Sequence, residues 1–240
     1  MKQVLPIEAA DTPARRPPDV FRHFDDIRII NLRHRADRRS EVFAELRRVG
    51  LADDPRVRIF DAVAPDDAGT FTSKGARGCF LSQLALLEHA ATHGRSILIL
   101  EDDVDFTTAI WQFMMPQHWE IFYGGYHAAN AEDLENSDIA GSHCMGFSAA
   151  AATRLAPYLR NLLDVTDHPP IDGAYVWFRR SHDDVMTVFA KPAIAEQRSS
   201  RTDIATPPWF DRTPGLREAA GLARRAMRTI QRRVLERPSQ

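Results

Sequence analysis

Ser96-Ile-Leu-Ile-Leu-Glu-Asp-Asp-Val-Asp-Phe106 orders the rest of the chain, because a short apolar run ends abruptly in carboxylates. Ile97 to Leu100, bounded by Gly94 and by charge, read as a central strand of a parallel sheet, buried on both faces. Open α/β sheets bind ligands beyond the carboxyl ends of their strands, so Glu101, Asp102 and Asp103 are placed to line that crevice. Acids this close repel one another unless a cation lies among them, and hard oxygen ligands suit Mg²⁺ or Mn²⁺. One reading of the triplet is a divalent ion that holds a diphosphate. The other is a solvated acidic turn or helix start.

Working outward, Ile27-Arg-Ile-Ile-Asn-Leu32 reads as the first strand. Asp37 then caps a helix whose apolar positions Val42, Leu46 and Val49 share a face, and Gly50 stops it. Val57 to Phe60 form a second short strand, followed by a loop rich in Asp, Gly and Thr through Gly78. A helix from about Phe80 to His93 leads into the Ile97 strand, which completes a βαβ progression and an α/β domain. Trp119 to Tyr123, ending in Gly124-Gly125, reads as another strand. His143 to Ser148 form one more before an alanine-rich helix, Ala149 to Leu163. Residues 128–140 are an acidic loop, His168 to Asp172 are a turn that delivers one acid, and Val185 to Ala190 are a late strand.

Composition bounds the class. The 240 residues are 44% apolar, enough for one sizeable core, and no apolar run approaches the roughly 20 residues that span a bilayer. The N-terminus has no apolar signal-peptide core, so the sequence predicts a cytoplasmic protein. Cys79 and Cys144 fall in no metal-ligand spacing and read as reduced, packed thiols. Residues 1–25 hold Pro6, Pro13, Pro17 and Pro18 without periodicity and read as a disordered arm. Residues 212–240 carry eight arginines against Glu218 and Glu236, a balance of +6, while the rest of the chain carries −8. An acidic body with a basic tail is not the basic body with interleaved aromatics expected of a nucleic-acid binder, which argues against nucleic acid as the partner.

Several segments match one pattern in order. Ile30-Asn31-Leu32 with Arg35, Asp37 and Arg38, then Gly78-Cys79-Phe-Leu-Ser82, then Ile99-Leu-Glu101-Asp102-Asp103-Val-Asp-Phe106, resemble glycosyltransferase family 25. That family includes lipooligosaccharide galactosyltransferases and, more distantly, collagen hydroxylysine galactosyltransferases. Trp119 to Gly125, Gly146-Phe147, Ile171-Asp172 and Gln197 to Ile204 continue the resemblance, which spans residues 27–205.

The resemblance implies a GT-A-like (Rossmann-like) domain over residues 26–210, with a mixed, mostly parallel sheet flanked by helices. It implies transfer of a hexose, such as galactose, from a UDP-sugar to a lipooligosaccharide or other surface-glycan acceptor, with inversion. Mn²⁺ or Mg²⁺ would be held by Glu101, Asp103 and Asp203, where it stabilises the departing diphosphate. Asp103 is thereby catalytic, and Asp172 is the carboxylate that takes the acceptor's proton. Asn31, Leu32, Arg38, Ser82 and Asp102 would contact the nucleotide. Glu101 and Asp103, as alternate strand-end residues, would face the same side.

One departure stands out: Gln83 occupies the position where the family has histidine. It feeds the idea of a non-catalytic, glycan-binding relative, and a metal-dependent phosphoester hydrolase would use the same carboxylates. Residues 211–240 read as a basic amphipathic helix, with Leu216, Ala220, Ala223, Met227, Ile230 and Val234 on one stripe. Such a helix suits either an anionic membrane surface or docking on protein.

Overall fold

Apolar residues that alternate along neighbouring strands build the centre of the molecule. The computed structural model describes residues 16–198. Strand β1 (Asp26–Asn31) is followed by helix α1 (Ala36–Arg48), β2 (Val57–Asp61), α2 (Lys74–His93) and β3 (Ile97–Glu101). The short β4 (Val104–Phe106) precedes β5 (Ile121–Ala128), β6 (Ile139–Phe147), α3 (Ala149–Leu162), α4 (Ile171–Arg180), β7 (Thr187–Phe189) and β8 (Ala195–Gln197).

The main sheet has the order β2-β1-β3-β6-β5-β7, and β4 pairs with β8 in a separate ribbon. β2, β1 and β3 are parallel, β6 is antiparallel to both its neighbours, and β7 is parallel to β5. β6 therefore runs against the rest, giving the mixed, mostly parallel α/β sheet that the sequence predicts. Ile97 and Ile99 face one apolar cluster with α2, α3 and α4, while Leu98 and Leu100 face a second cluster with α1. Burial of β3 on both faces explains its unbroken apolar run.

Four expectations are corrected. The arm does not extend to residue 25: Asp19–His23 form a 3-10 turn, with Val20, Phe21 and Phe24 buried. Gly146 makes this possible, since a Cβ there would come within 2.6 Å of the Phe24 ring. Helix α2 begins at Lys74 rather than Phe80, because the Ser73 hydroxyl accepts from Ala76 N at 3.0 Å and caps it. The acidic loop is shorter than residues 128–140, since β5 continues through Gly124-Gly125 to Ala128 and β6 starts at Ile139. The turn at His168 to Asp172 runs into α4, whose Ile171, Ala174, Tyr175 and Phe178 are buried at helical spacing.

Both cysteines are free thiols, as the sequence predicts, and burial pushes Cys144 up to about 12. Among the described residues, no helix is long and apolar enough to cross a membrane. Residues 1–15 of the arm, Asp203 and the basic segment 211–240 lie outside the described residues.

Candidate functional site

The parallel register sets the site. Ile30 of β1 lies opposite Glu101 of β3, so the next residues, Asn31 and Asp102, meet just beyond the strand ends. Asn31 Nδ2 donates to Asp102 Oδ2 at 2.7 Å, and Arg38 Nη1, from the first turn of α1, donates to Asp102 Oδ1 at 2.9 Å. Both oxygens of Asp102 are thereby used. Asn31 is fully buried, does not line the cavity, and holds Asp102 through this hydrogen bond.

Beyond the carboxyl ends of β1, β2 and β3 lies a cavity of about 280 Å³. Leu32, Arg38, Ser82, Glu101, Asp102 and Asp103 all line it, together with Ala62 to Pro65, Lys74, Gly78 and Gln197. Ser82 is nonetheless fully engaged: its hydroxyl donates to Gly78 O at 2.7 Å and accepts from Val63 N at 2.8 Å. It fixes the loop after β2 against α2. Gly78 permits that approach, as a Cβ there would lie 2.5 Å from Val63 O.

The remaining acids differ in their partners. Asp103 Oδ2 accepts from Gln197 Nε2 at 3.2 Å and lies 3.7 Å from Arg38 Nη1. Among the described residues, buried Asp103 Oδ1 has no hydrogen-bond partner. Glu101 Oε1 accepts from Ser142 Oγ of β6 at 2.6 Å, with Cys79 Sγ at 3.8 Å. β3 ends at Glu101, and Glu101 and Asp103 both line the cavity, each held by different neighbours. Burial, then the charge of Asp103, pushes Glu101 up to about 7. Burial also raises Asp103, against the pull of Arg38.

Asp172 sits in the first turn of α4, outside the cavity wall. Its oxygens accept from Gly141 N at 3.1 Å and Gly173 N at 2.8 Å, and its charge contributes to the upward shift of Glu101. Gln83 also lies outside the wall and is fully buried. It accepts from Tyr175 Oη at 2.5 Å and donates to Cys79 Sγ at 3.8 Å. Gln83 thus serves interior hydrogen bonding, one step removed from the cavity.

Among the described residues, no three His, Cys, Asp or Glu side chains form a group that could hold a metal. Of the expected set, Glu101 and Asp103 both line the cavity, and Asp203 lies outside the described residues. Sequence reasoning missed the Ala62 to Pro65 wall and Lys74. The signal was available, since the end of a strand parallel to β3 must open onto the same edge.

No protein-family model matches the chain, and no curated protein does. Among solved structures, a glycosyltransferase involved in glycosylation of the major capsid of PBCV-1 is similar at TM-score 0.47. Identity is 10%, over 74% of this chain and 94% of that one. CTP:phosphocholine cytidylyltransferase from Streptococcus pneumoniae is similar at TM-score 0.41 and 9% identity, over 72% and 92%. At these values the likeness concerns the course of the chain alone, and the chemistry rests on the side chains.

Proposed function

We propose that the chain is a nucleotide-sugar-dependent glycosyltransferase of the GT-A type. It would move a hexose such as galactose from a UDP-sugar to a surface-glycan or lipid-linked glycan acceptor, with inversion. The observation that carries this reading is the buried, unpartnered oxygen of Asp103 in the wall of a cavity that Arg38 and Lys74 also line.

A hard divalent ion fits that donor set. Mg²⁺ takes one or two protein carboxylates and leaves its other positions to phosphate oxygens and water, and Mn²⁺ favours the same oxygen ligands. Asp103 would hold the ion, with Glu101 in the same wall, whereas Asp102 is occupied by Asn31 and Arg38. Such an ion supplies Lewis-acid stabilisation of a departing diphosphate. Arg38 and Lys74 bring fixed positive charge to the phosphate oxygens. Leu32 and the Ala62 to Pro65 wall offer a largely apolar surface to the base. Asp172, anchored by Gly141 N, is the carboxylate assigned to the acceptor's proton. The same reading puts the protein in the cytoplasm, with residues 213–240 touching the membrane face where a lipid-linked acceptor resides.

Calorimetric titration with UDP, with and without Mn²⁺, tests the donor site. Metal-dependent binding in the wild type that disappears in Asp103→Asn, with unfolding unchanged, is the expected result. Absence of UDP binding in the folded protein under both conditions overturns it. Cleavage of phosphoesters by water, without any need for a sugar nucleotide, would replace the transferase by a hydrolase.

A further inference from the structure

A second cluster of ligand-bearing side chains lies at the opposite end of the sheet, where α2 finishes beside the start of β1. His89 and His93 are four residues apart, on one face of the last turn of α2. Their ring centroids are 4.1 Å apart, with the planes at 37°. His89 is half-buried and His93 is exposed.

His93 Nδ1 lies 2.8 Å from the backbone oxygen of His89. A carbonyl oxygen can only accept, so Nδ1 of His93 carries the hydrogen, and in the neutral ring Nε2 keeps the lone pair. A metal-binding histidine is usually prepared in this way, one nitrogen tied to a carbonyl and the other left as the ligand. His89 Nε2 stands 3.6 Å from Asp26 Oδ2, which is itself paired with Arg28 at 2.7 Å. Burial and the neighbouring charges of His93 and Arg28 lower the proton affinity of His89, and Asp26 offsets part of that.

We propose that His89 and His93 form a surface site for a borderline divalent transition metal, Zn²⁺, Ni²⁺ or Cu²⁺, clamped across the last turn of α2. Imidazole nitrogens suit these ions, whereas the oxygen-lined cavity suits Mg²⁺ or Mn²⁺. Paired histidines at this helical spacing are the geometry by which a helix presents two nitrogens to one ion. The carboxyl end of α2 adds the negative end of the helix dipole. Arg28 and Arg95 near His89 act against the cation, and Asp26 acts for it. The site has two protein ligands and is completed by water, consistent with the absence of any three-ligand group among the described residues. It does not depend on the glycosyltransferase reading.

Titration of the full chain with Zn²⁺ alone, followed by calorimetry, tests the proposal. One Zn²⁺ is expected to bind the wild type and Asp103→Asn alike, and that step is expected to vanish in His89→Ala/His93→Ala. The single variant His93→Gln, at an exposed position, guards against loss through misfolding and is expected to lose the step as well. Cu²⁺ electron paramagnetic resonance is expected to show nitrogen coupling in the wild type that the double variant lacks. Retention of the Zn²⁺ step in the double variant, or absence of any Zn²⁺ binding in the wild type, overturns the site. Loss of the step in Asp103→Asn alone would assign the ion to the cavity instead.

Discussion

Acids gather at both ends of the central sheet, but folding treats them in opposite ways. At the amino end, Asp25 accepts from Ser96 N at 2.9 Å and Ser96 Oγ at 2.8 Å, and Asp54 binds Arg56 at 2.6 Å. The Ser96 bonds hold Asp25 below its ordinary range, and Arg56 does the same for Asp54. At the carboxyl end, burial drives Glu101 and Asp103 upward, and one oxygen of Asp103 has no hydrogen-bond partner among the described residues. Acids whose ionised form folding favours belong to the architecture. Acids that folding disfavours, yet keeps in a cavity wall, are the ones whose charge state a proton or a bound cation would change most.

Asp102 breaks this division within the site and gives the largest expected effect. Asp102→Ala removes the 2.9 Å partner of buried Arg38 and leaves the longer 3.7 Å contact to Asp103, which costs about 3 kcal/mol. Asp103→Asn removes a buried charge that folding disfavours, so urea unfolding is expected to show no loss of stability. Equal losses in the two variants would mean that both acids are structural.

Acid and base titrations sharpen the comparison next. Glu101 folds with its pKa raised from 4.5 to about 7, so between those values the folded state holds a proton that the unfolded chain has released. Stability contributed at Glu101 therefore falls as pH rises through that window, and Glu101→Gln is expected to remove the fall. His143 works the other way: burial lowers it from 6.5 to about 4, so stability falls as pH drops through that interval. The full effect is roughly 3 kcal/mol. Melting temperatures between pH 4 and 8 are expected to steepen in opposite directions for Glu101→Gln and for His143→Leu, because each variant uncovers the other group. The smallest effect belongs to the amino end. Asp25 is exposed, so Asp25→Ala is expected to cost about 1 kcal/mol or less and to leave UDP binding unchanged.

The first half of the fold was legible because its signals are local. Ile97 to Leu100 could be placed as a doubly buried strand, and the acids after it had to lie at the carboxyl edge. The assignment of tasks among those acids was not legible. Asp102 and Asp103 are adjacent and chemically identical, yet one is consumed by Asn31 and Arg38 and the other is left open. That difference depends on a register between β1 and β3 separated by some seventy residues. The bond from Asn31 to Asp102 was hidden for the same reason, since a strand-end amide looks alike whether it meets a ligand or a carboxylate. Helix α4 was missed because Pro169 and Pro170 were read as a turn, although Pro170 stands at the helix's amino cap. Residues 124 and 125 mark a pause in the sequence only: the strand continues, and Cys144 and His143 fill the space their missing side chains would take.

The hairpin between β5 and β6 carries one further consequence. Ala129 N donates to Asp138 O at 2.9 Å, so the ends of the intervening loop are stitched together by the sheet itself. Glu101 and Asp103 are held by Ser142, Gln197 and Arg38, and none of these lies within that loop. Its length and composition can therefore drift without disturbing the carboxylates.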